Sequence, residues 1–170
     1  MDFFTGKDLD TQAILTIVEL WRKRYGFAFT SEFLEVVYIF LLTFKNNLTI
    51  KVDFGRYPYG KIEEEKIIDG IKVDSLTDIA VNKLSTITQR TAVKDFVDLY
   101  FLLKDFSLWD LLEGVRIKFR TDLELFTLAS DFLKVERFDY LPKMIKPLTL
   151  EELKDFFREK AKEVGKKAII

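Results

Sequence analysis

The sequence predicts an α+β fold, in which a small mixed or antiparallel sheet with helices is followed by a helical C-terminal half. Apolar and polar residues alternate beside Lys45-Asn46-Asn47, which is typical of a β-hairpin because asparagine tolerates the positive φ of a tight turn. From residue 76 onward, apolar residues instead recur at helical spacing. Strands that come before the helices, rather than alternating with them, favour an α+β architecture.

The N-terminal half contains the predicted strands. Asp2–Thr5 is expected to be the end of a strand. A helix is predicted over about residues 11–24, capped by Asp10 or Thr11 and ended by Gly26. The two hairpin strands and one further short strand are predicted over Glu35–Phe44, Leu48–Phe54 and Lys66–Val73.

The C-terminal half is predicted to be helical. One helix is expected to begin at Leu76, because Ser75 and Asp78 have the spacing of a capping box, in which each residue caps the other. A second helix, capped by Thr91, is expected to reach about Lys104. Further helices are predicted over Trp109–Phe119, Asp122–Leu133 and Leu150–Val164.

The 170 residues, 48% of them hydrophobic, are enough to bury a substantial core. Residues 1–73 are expected to form an α/β core and residues 74–170 a helical portion packed on it, together one structural unit. The chain opens without a basic, signal-like segment, and its most apolar window, residues 36–44, is too short to cross a membrane as a helix. We therefore expect a cytoplasmic protein with no membrane partner.

The composition excludes several kinds of chemistry. The chain has no cysteine and no histidine, which excludes disulfides, thiolate or imidazole metal sites and catalytic triads that need either residue. Carboxylate, lysine, tyrosine and hydroxyl chemistry remains, and oxygen ligands favour magnesium, manganese or calcium. With 27 basic and 28 acidic residues, the net charge is near zero and predicts no general affinity for nucleic acid.

Charged residues occupy two predicted helices that otherwise look buried. Lys83 falls inside the apolar stripe of the helix that begins at Leu76. Asp95 and Asp98 share a narrow strip of the next helix, which is apolar around most of its circumference. Burying such charges is costly unless they are paired, bind a metal or open onto a cleft. Helix geometry leaves two interpretations open: a functional cleft, or an ion-pair network with Arg90 that only holds the helices together.

These residues resemble the nucleotidyl transferase AbiEii toxin family, of the polymerase-β-like nucleotidyltransferase superfamily. Residues 73–84 carry the Asp-Ile-x-x-x-Lys pattern at Asp78 and Lys83, and Arg90 is followed by Lys94-Asp95-Phe96-Val97-Asp98-Leu99, with lysine at a position where the family has arginine. Residues 1–104 fit the family's order of elements. The resemblance implies a nucleotidyltransferase-like fold.

The same resemblance extends to the N-terminal residues of the chain. Asp2-Phe3-Phe4-Thr5 resembles the end of a family segment with two magnesium-binding aspartates, of which Asp2 would be the second. The first aspartate and a Gly-rich phosphate-binding turn would then lie upstream of residue 1, so the chain is expected to be truncated. Asp53, which strand alternation places on the polar face of its strand, resembles the third acidic position.

The resemblance implies an Mg-dependent nucleotidyltransferase that uses a nucleoside triphosphate (NTP) and a hydroxyl of RNA, such as tRNA, or of a protein. Asp2 and Asp53 would bind the metal, Lys83 and Arg90 the triphosphate, and Asp95 would orient Lys83 or assist proton removal. An antitoxin is an implied partner. Two alternatives stay open: an inert nucleotidyltransferase-like domain that binds nucleotide or a partner protein, and a purely structural domain.

Overall fold

The structure, a computed structural model, describes residues 1–169 and divides into two compact units, Met1–Tyr59 and the part from Gly60 onward. The first unit is a four-stranded sheet with one helix, and the second consists of a two-stranded hairpin and a set of helices. The predicted α+β class is therefore confirmed.

The first unit is built around one mixed sheet. Its elements are β1 (Asp2–Thr5), α1 (Thr11–Tyr25), β2 (Phe27–Leu34), β3 (Val37–Phe44) and β4 (Thr49–Arg56). The strand order is β1-β4-β3-β2; β1 runs parallel to β4, and the other neighbours are antiparallel. One face of the sheet forms a core with α1, centred on Val18, Phe40 and Val52. The opposite face is left to polar and mixed side chains.

The predicted hairpin is confirmed as β3 and β4, and Asn47 has a φ of 63° in its turn. Gly26 ends α1 with a φ of 69°, a conformation that costs glycine little because it has no Cβ. The prediction missed β2, which pairs with β3 along its whole length. β2 is a largely exposed edge strand, and apolar residues on both of its faces obscure the alternation that marks a strand.

The second unit contains mainly helices. Its elements are β5 (Lys66–Ile68), β6 (Ile71–Val73), α2 (Leu76–Gln89), α3 (Val93–Leu102), α4 (Leu108–Phe119), α5 (Leu125–Phe132), a 3-10 helix (Leu133–Arg137) and α6 (Leu150–Ala168). Its core is centred on fully buried Phe96, Phe132 and Phe157. Within residues 1–169, no helix combines the length and the apolar content that crossing a membrane requires.

Two local predictions in this unit are wrong. Lys66–Val73 is a hairpin rather than one strand, because Asp69 and Gly70 both adopt positive φ and turn the chain after three residues. The second helix begins at Val93, not after a Thr91 cap, and its N-cap Ala92 offers no side-chain acceptor. Asp95 in the first turn instead provides a favourable negative charge near the free amides.

Two helical glycines differ in the space around them. A Cβ on Gly114 of α4 would overlap Cγ2 of the buried Val81, whereas a Cβ on Gly165 of α6 would meet only the Ala129 methyl at 3.9 Å. Gly114→Ala is therefore expected to lower the free energy of unfolding by about 1–2 kcal/mol, since overpacking outweighs the gain in helix propensity. Gly165→Ala, the matched control, should raise it by up to about 1 kcal/mol. Chemical denaturation measures both, and equal effects would contradict the packing argument.

Candidate functional site

Asp2 and Asp53 are register partners on the parallel strands β1 and β4. Their neighbours Phe3 and Phe54 stack with ring centroids 5.2 Å apart on the core side. Because side chains alternate across a strand, the two aspartates lie together on the opposite face of the sheet. The structure thus brings together both residues that the resemblance implied as metal ligands.

One oxygen of Asp53 is buried without a partner. Oδ2 accepts a hydrogen bond from Lys51 Nζ at 2.5 Å, whereas Oδ1 is inaccessible to solvent and has no donor among the described residues. The carboxylate of Asp2 is largely exposed. Buried polar atoms in proteins are normally satisfied, so an orphaned carboxylate oxygen is a plausible cation ligand. Two carboxylates suit Mg²⁺, which often takes one or two from the protein and its other ligands from water and phosphate.

A second cluster joins α2 and α3 in the second unit. Lys83 Nζ lies 2.9 Å from Asp95 Oδ1 and 2.5 Å from Asp98 Oδ2. Arg90 donates to both oxygens of Asp95, from Nε at 2.8 Å and from Nη2 at 3.1 Å. The carboxylate of Asp95 is fully buried, and the bidentate arginine together with the lysine holds it in one orientation.

The charges of this cluster stabilise one another. Burial by itself would lower the pKa of Lys83, but hydrogen bonds to Asp98 and Asp95 outweigh it and raise that pKa above its usual value. Burial would raise the pKa of Asp95, but Arg90 and Lys83 hold it below the usual range. Lys83 is therefore charged and Asp95 ionised at neutral pH. An ionised, three-fold bonded Asp95 is a weak base, which suits positioning better than proton removal.

Lys83 is not sealed from solvent. Its side chain is 24% exposed and lines a cleft of about 410 Å³, together with residues that include Asp98, Phe101 and Lys146. The cleft leaves room for a ligand beside the lysine, and its volume lies within the range usual for small-molecule sites.

The Asp78 carboxylate does not cap the backbone of Ser75 as a capping box would; it is the centre of a buried polar cluster, the Asp78 junction. Ser75 caps α2 by accepting from the Asp78 amide, as expected, but the Asp78 carboxylate accepts from the Ser75 hydroxyl and from the amides of Ile62 and Glu63. It also pairs with Lys118 Nζ at 2.5 Å, and neither side chain is exposed. Sequence reasoning missed Lys118, 40 residues away, because nothing local links the two positions.

Comparison with known proteins finds a family model that spans nearly the whole chain. The model of a family described as nucleotidyl transferase AbiEii toxin, type IV toxin–antitoxin system, matches residues 2–169. An uncharacterised protein of Aquifex aeolicus (strain VF5) is 36% identical over 120 residues, 67% of this chain and 57% of that protein. The chain thus spans little more than half the length of this relative.

Two crystal structures from Helicobacter pylori have a similar fold. JHP933 shares 21% sequence identity with a TM-score of 0.53, and the match covers 99% of this chain and 75% of that one. A provisionally assigned nucleotidyltransferase, also 21% identical, has a TM-score of 0.54 and matches over 99% and 78%. At this identity the likeness bears on the fold, and it agrees with the architecture predicted from the sequence.

Proposed function

Because this chain belongs to the nucleotidyl transferase AbiEii toxin family, we propose that it transfers a nucleotide from an NTP to a hydroxyl group of an RNA or a protein. The observation that carries the proposal is the pair of carboxylates on β1 and β4, one of which keeps a buried oxygen free of hydrogen bonds among the described residues. Nucleotidyl transfer depends on positioning and charge neutralisation more than on covalent chemistry, and this chain retains the residue types for both.

Asp2 and Asp53 are the proposed magnesium ligands. They fit the ion because their oxygens are hard donors and because Asp53 Oδ1 has an unused lone pair in a buried position. A bound Mg²⁺ would neutralise triphosphate charge and activate the attacking hydroxyl. Asp53 is the more constrained of the two, since its strand lies inside the sheet between β1 and β3.

Lys83 and Arg90 are the proposed contacts for the triphosphate. Both carry permanent positive charge at neutral pH, and Lys83 lines an open cleft. Asp95 of α3 is a positioning residue: it holds Lys83 of α2 and Arg90, the C-cap residue of α2, in a fixed arrangement, so that these two cations need not reorganise when phosphate binds. The ion-pair network that joins α2 and α3 would then also bind phosphate.

A second candidate function is nucleotide binding without transfer. It is favoured by the small number of acidic ligands. Within residues 1–169, no group of three aspartate or glutamate side chains could hold a metal ion. A pair of carboxylates can hold a metal–nucleotide complex without catalysing its reaction. Binding of Mg-NTP in calorimetry, with no transferred nucleotide detected, would distinguish this candidate from the first.

The partners follow from the family. We propose tRNA or a protein as the acceptor, because either offers the hydroxyl that the reaction requires. The family's place in toxin–antitoxin systems also points to an antitoxin as a binding partner. Incubation with radiolabelled NTPs and separate RNA and protein fractions would show which class receives the label.

Lys83→Gln tests the proposed role directly. Transfer is expected to fall by about 10²-fold or more, because loss of a charge that neutralises the phosphates removes several kcal/mol of transition-state stabilisation. The assay measures labelled product per unit time in the presence of Mg²⁺, and thermal unfolding confirms that the variant is folded. Lys72→Gln is the matched control, since that side chain is 73% exposed and pairs only with Glu65 among the described residues.

Two outcomes would contradict this assignment. If the wild-type chain neither binds Mg-NTP nor transfers nucleotide, the proposed function fails. If Lys83→Gln loses stability but keeps the transfer rate of the wild type, the cluster of Lys83, Arg90, Asp95 and Asp98 is structural.

A further inference from the structure

A separate pocket lies beside the Lys83 cleft in the second unit. It has a volume of about 340 Å³ and is formed by one side of α3 and by residues 142–146. Its walls are mainly apolar, with Val97 and Phe101 from the helix and Pro142, Met144 and Ile145 from the loop. This combination of an aromatic ring and aliphatic walls is typical of sites for flat organic ligands.

Three lysines surround the pocket. Lys94, Lys143 and Lys146 line it together with a single carboxylate, Asp98. Asp98 is already paired with Lys83 at 2.5 Å, whereas none of the three lysines has an ion pair with any described residue. The rim therefore carries positive charge that the protein itself does not neutralise, and it favours an anionic ligand.

Phe101 presents a surface that already attracts cations. The ammonium groups of Lys104 and Lys146 lie 5.1 and 5.4 Å from the centroid of its ring. Lysine side chains are flexible, so Lys146 can turn from the ring toward a phosphate when a flat group stacks in its place. Stacking of a base on an aromatic side chain is worth about 1–3 kcal/mol.

The pocket and the Lys83 cleft share a wall. Asp98, Phe101 and Lys146 line both, so the two spaces adjoin across the side chains of α3. From these observations we infer that the Phe101 pocket binds the base of a nucleotide, with the lysines of its rim in contact with the phosphates. This inference rests on the proposed function in one respect: it takes the NTP to be the source of the base.

The base site is tested by equilibrium binding, without transfer. Calorimetry compares an NTP with inorganic tripolyphosphate, which has the charge but no base. For the wild type, the NTP is expected to bind more tightly. Phe101→Leu should weaken NTP binding by up to about 5- to 150-fold while leaving tripolyphosphate unchanged, because only stacking is lost.

Lys146→Gln probes the rim by a different effect. It should weaken both ligands and reduce the salt dependence of binding, because it removes a phosphate contact. Phe126→Leu and Lys162→Gln are matched controls on α5 and α6, at side chains that are exposed and outside the pocket. If neither Phe101→Leu nor Lys146→Gln changes binding, the inference is overturned. If one of the two variants folds poorly, the other one decides the test.

The remaining arms identify the source of the base and separate the two proposals. Binding of a short single-stranded RNA that Phe101→Leu weakens, together with no binding of free NTP, would assign the base to the acceptor instead. A wild-type protein that shows the Phe101 effect but transfers nothing would refute the proposed function and support the base site. A protein that transfers nucleotide with a KM for NTP unaffected by Phe101→Leu would do the reverse.

Discussion

Asp78→Ala is expected to lower the free energy of unfolding by about 3–5 kcal/mol, because it removes the carboxylate that faces the fully buried ammonium of Lys118. The substitution also takes the acceptor away from the Ser75 hydroxyl and from the amides of Ile62 and Glu63. Urea unfolding followed by circular dichroism measures the loss.

A double variant separates the charge from the packing. Asp78→Leu combined with Lys118→Met removes both buried charges, and it should be markedly more stable than Asp78→Ala. Glu113→Gln is the matched control for an ion pair on the surface, since Glu113 and Arg116 are both more than half exposed; it should change stability little. If Asp78→Ala proved as mild as Glu113→Gln, the buried junction would not hold the unit together.

The same junction predicts a pH dependence. Burial would raise the pKa of Asp78, but Lys118, Ser75 and the two amides lower it to about 2, from the usual 3.8 of an aspartate. The unfolded chain therefore binds the proton first as the pH falls. The resulting stability, about 2 kcal/mol, is present above pH 3.8 and is lost as the pH falls through 2. The difference in unfolding free energy between the wild type and the double variant should show this loss, and a flat difference would contradict it.

Asp53→Asn is expected to reduce Mg-dependent nucleotide transfer by about 10²- to 10³-fold while leaving the fold intact. A metal ion contributes several kcal/mol of charge stabilisation to such reactions, and the amide is a much weaker ligand than the carboxylate. Stability should change little, because Asp53 Oδ1 has no hydrogen bond to lose among the described residues and the amide oxygen of asparagine can still accept from the exposed Lys51. Transfer assays over a range of Mg²⁺ concentrations, with thermal unfolding in parallel, measure both effects.

Asp8→Asn serves as the matched control for Asp53. It lies in the same unit, its side chain is 94% exposed, and its pair with Arg56 is a surface contact. It should keep the transfer rate of the wild type. Equal transfer by Asp53→Asn and the wild type would exclude Asp53 as a metal ligand, and a large loss of stability would show that its role is structural.

Local sequence predicted the elements whose signals lie within a few residues. The turn at Asn47, the stop at Gly26 and the cap at Ser75 were all found, because each depends on the conformational preference of one residue or on one short hydrogen bond. The edge strand β2 was missed because it has apolar residues on both faces, so its composition does not show which face is buried.

The candidate site was predicted unevenly. The sequence singled out Lys83, Asp95 and Asp98 as charges on apolar helices, and the structure brings them into one ion-pair cluster with Arg90. The Phe101 pocket could not be predicted from the sequence, because half of it comes from a loop about 40 residues farther along. Such a pocket forms only when segments distant in the sequence meet.

The α+β class, the resemblance to the family, the lack of cysteine and histidine chemistry and the charges that need an explanation could all be found in the amino-acid sequence. Periodicity, capping and composition are local properties, so one chain is enough to read them. The three-dimensional fold was needed to find that Asp78 is a buried partner of Lys118, that Asp2 lies beside Asp53, and that Lys83 borders an open cleft. Those facts depend on the distance and solvent exposure of residues far apart in the chain, and folding alone sets these quantities.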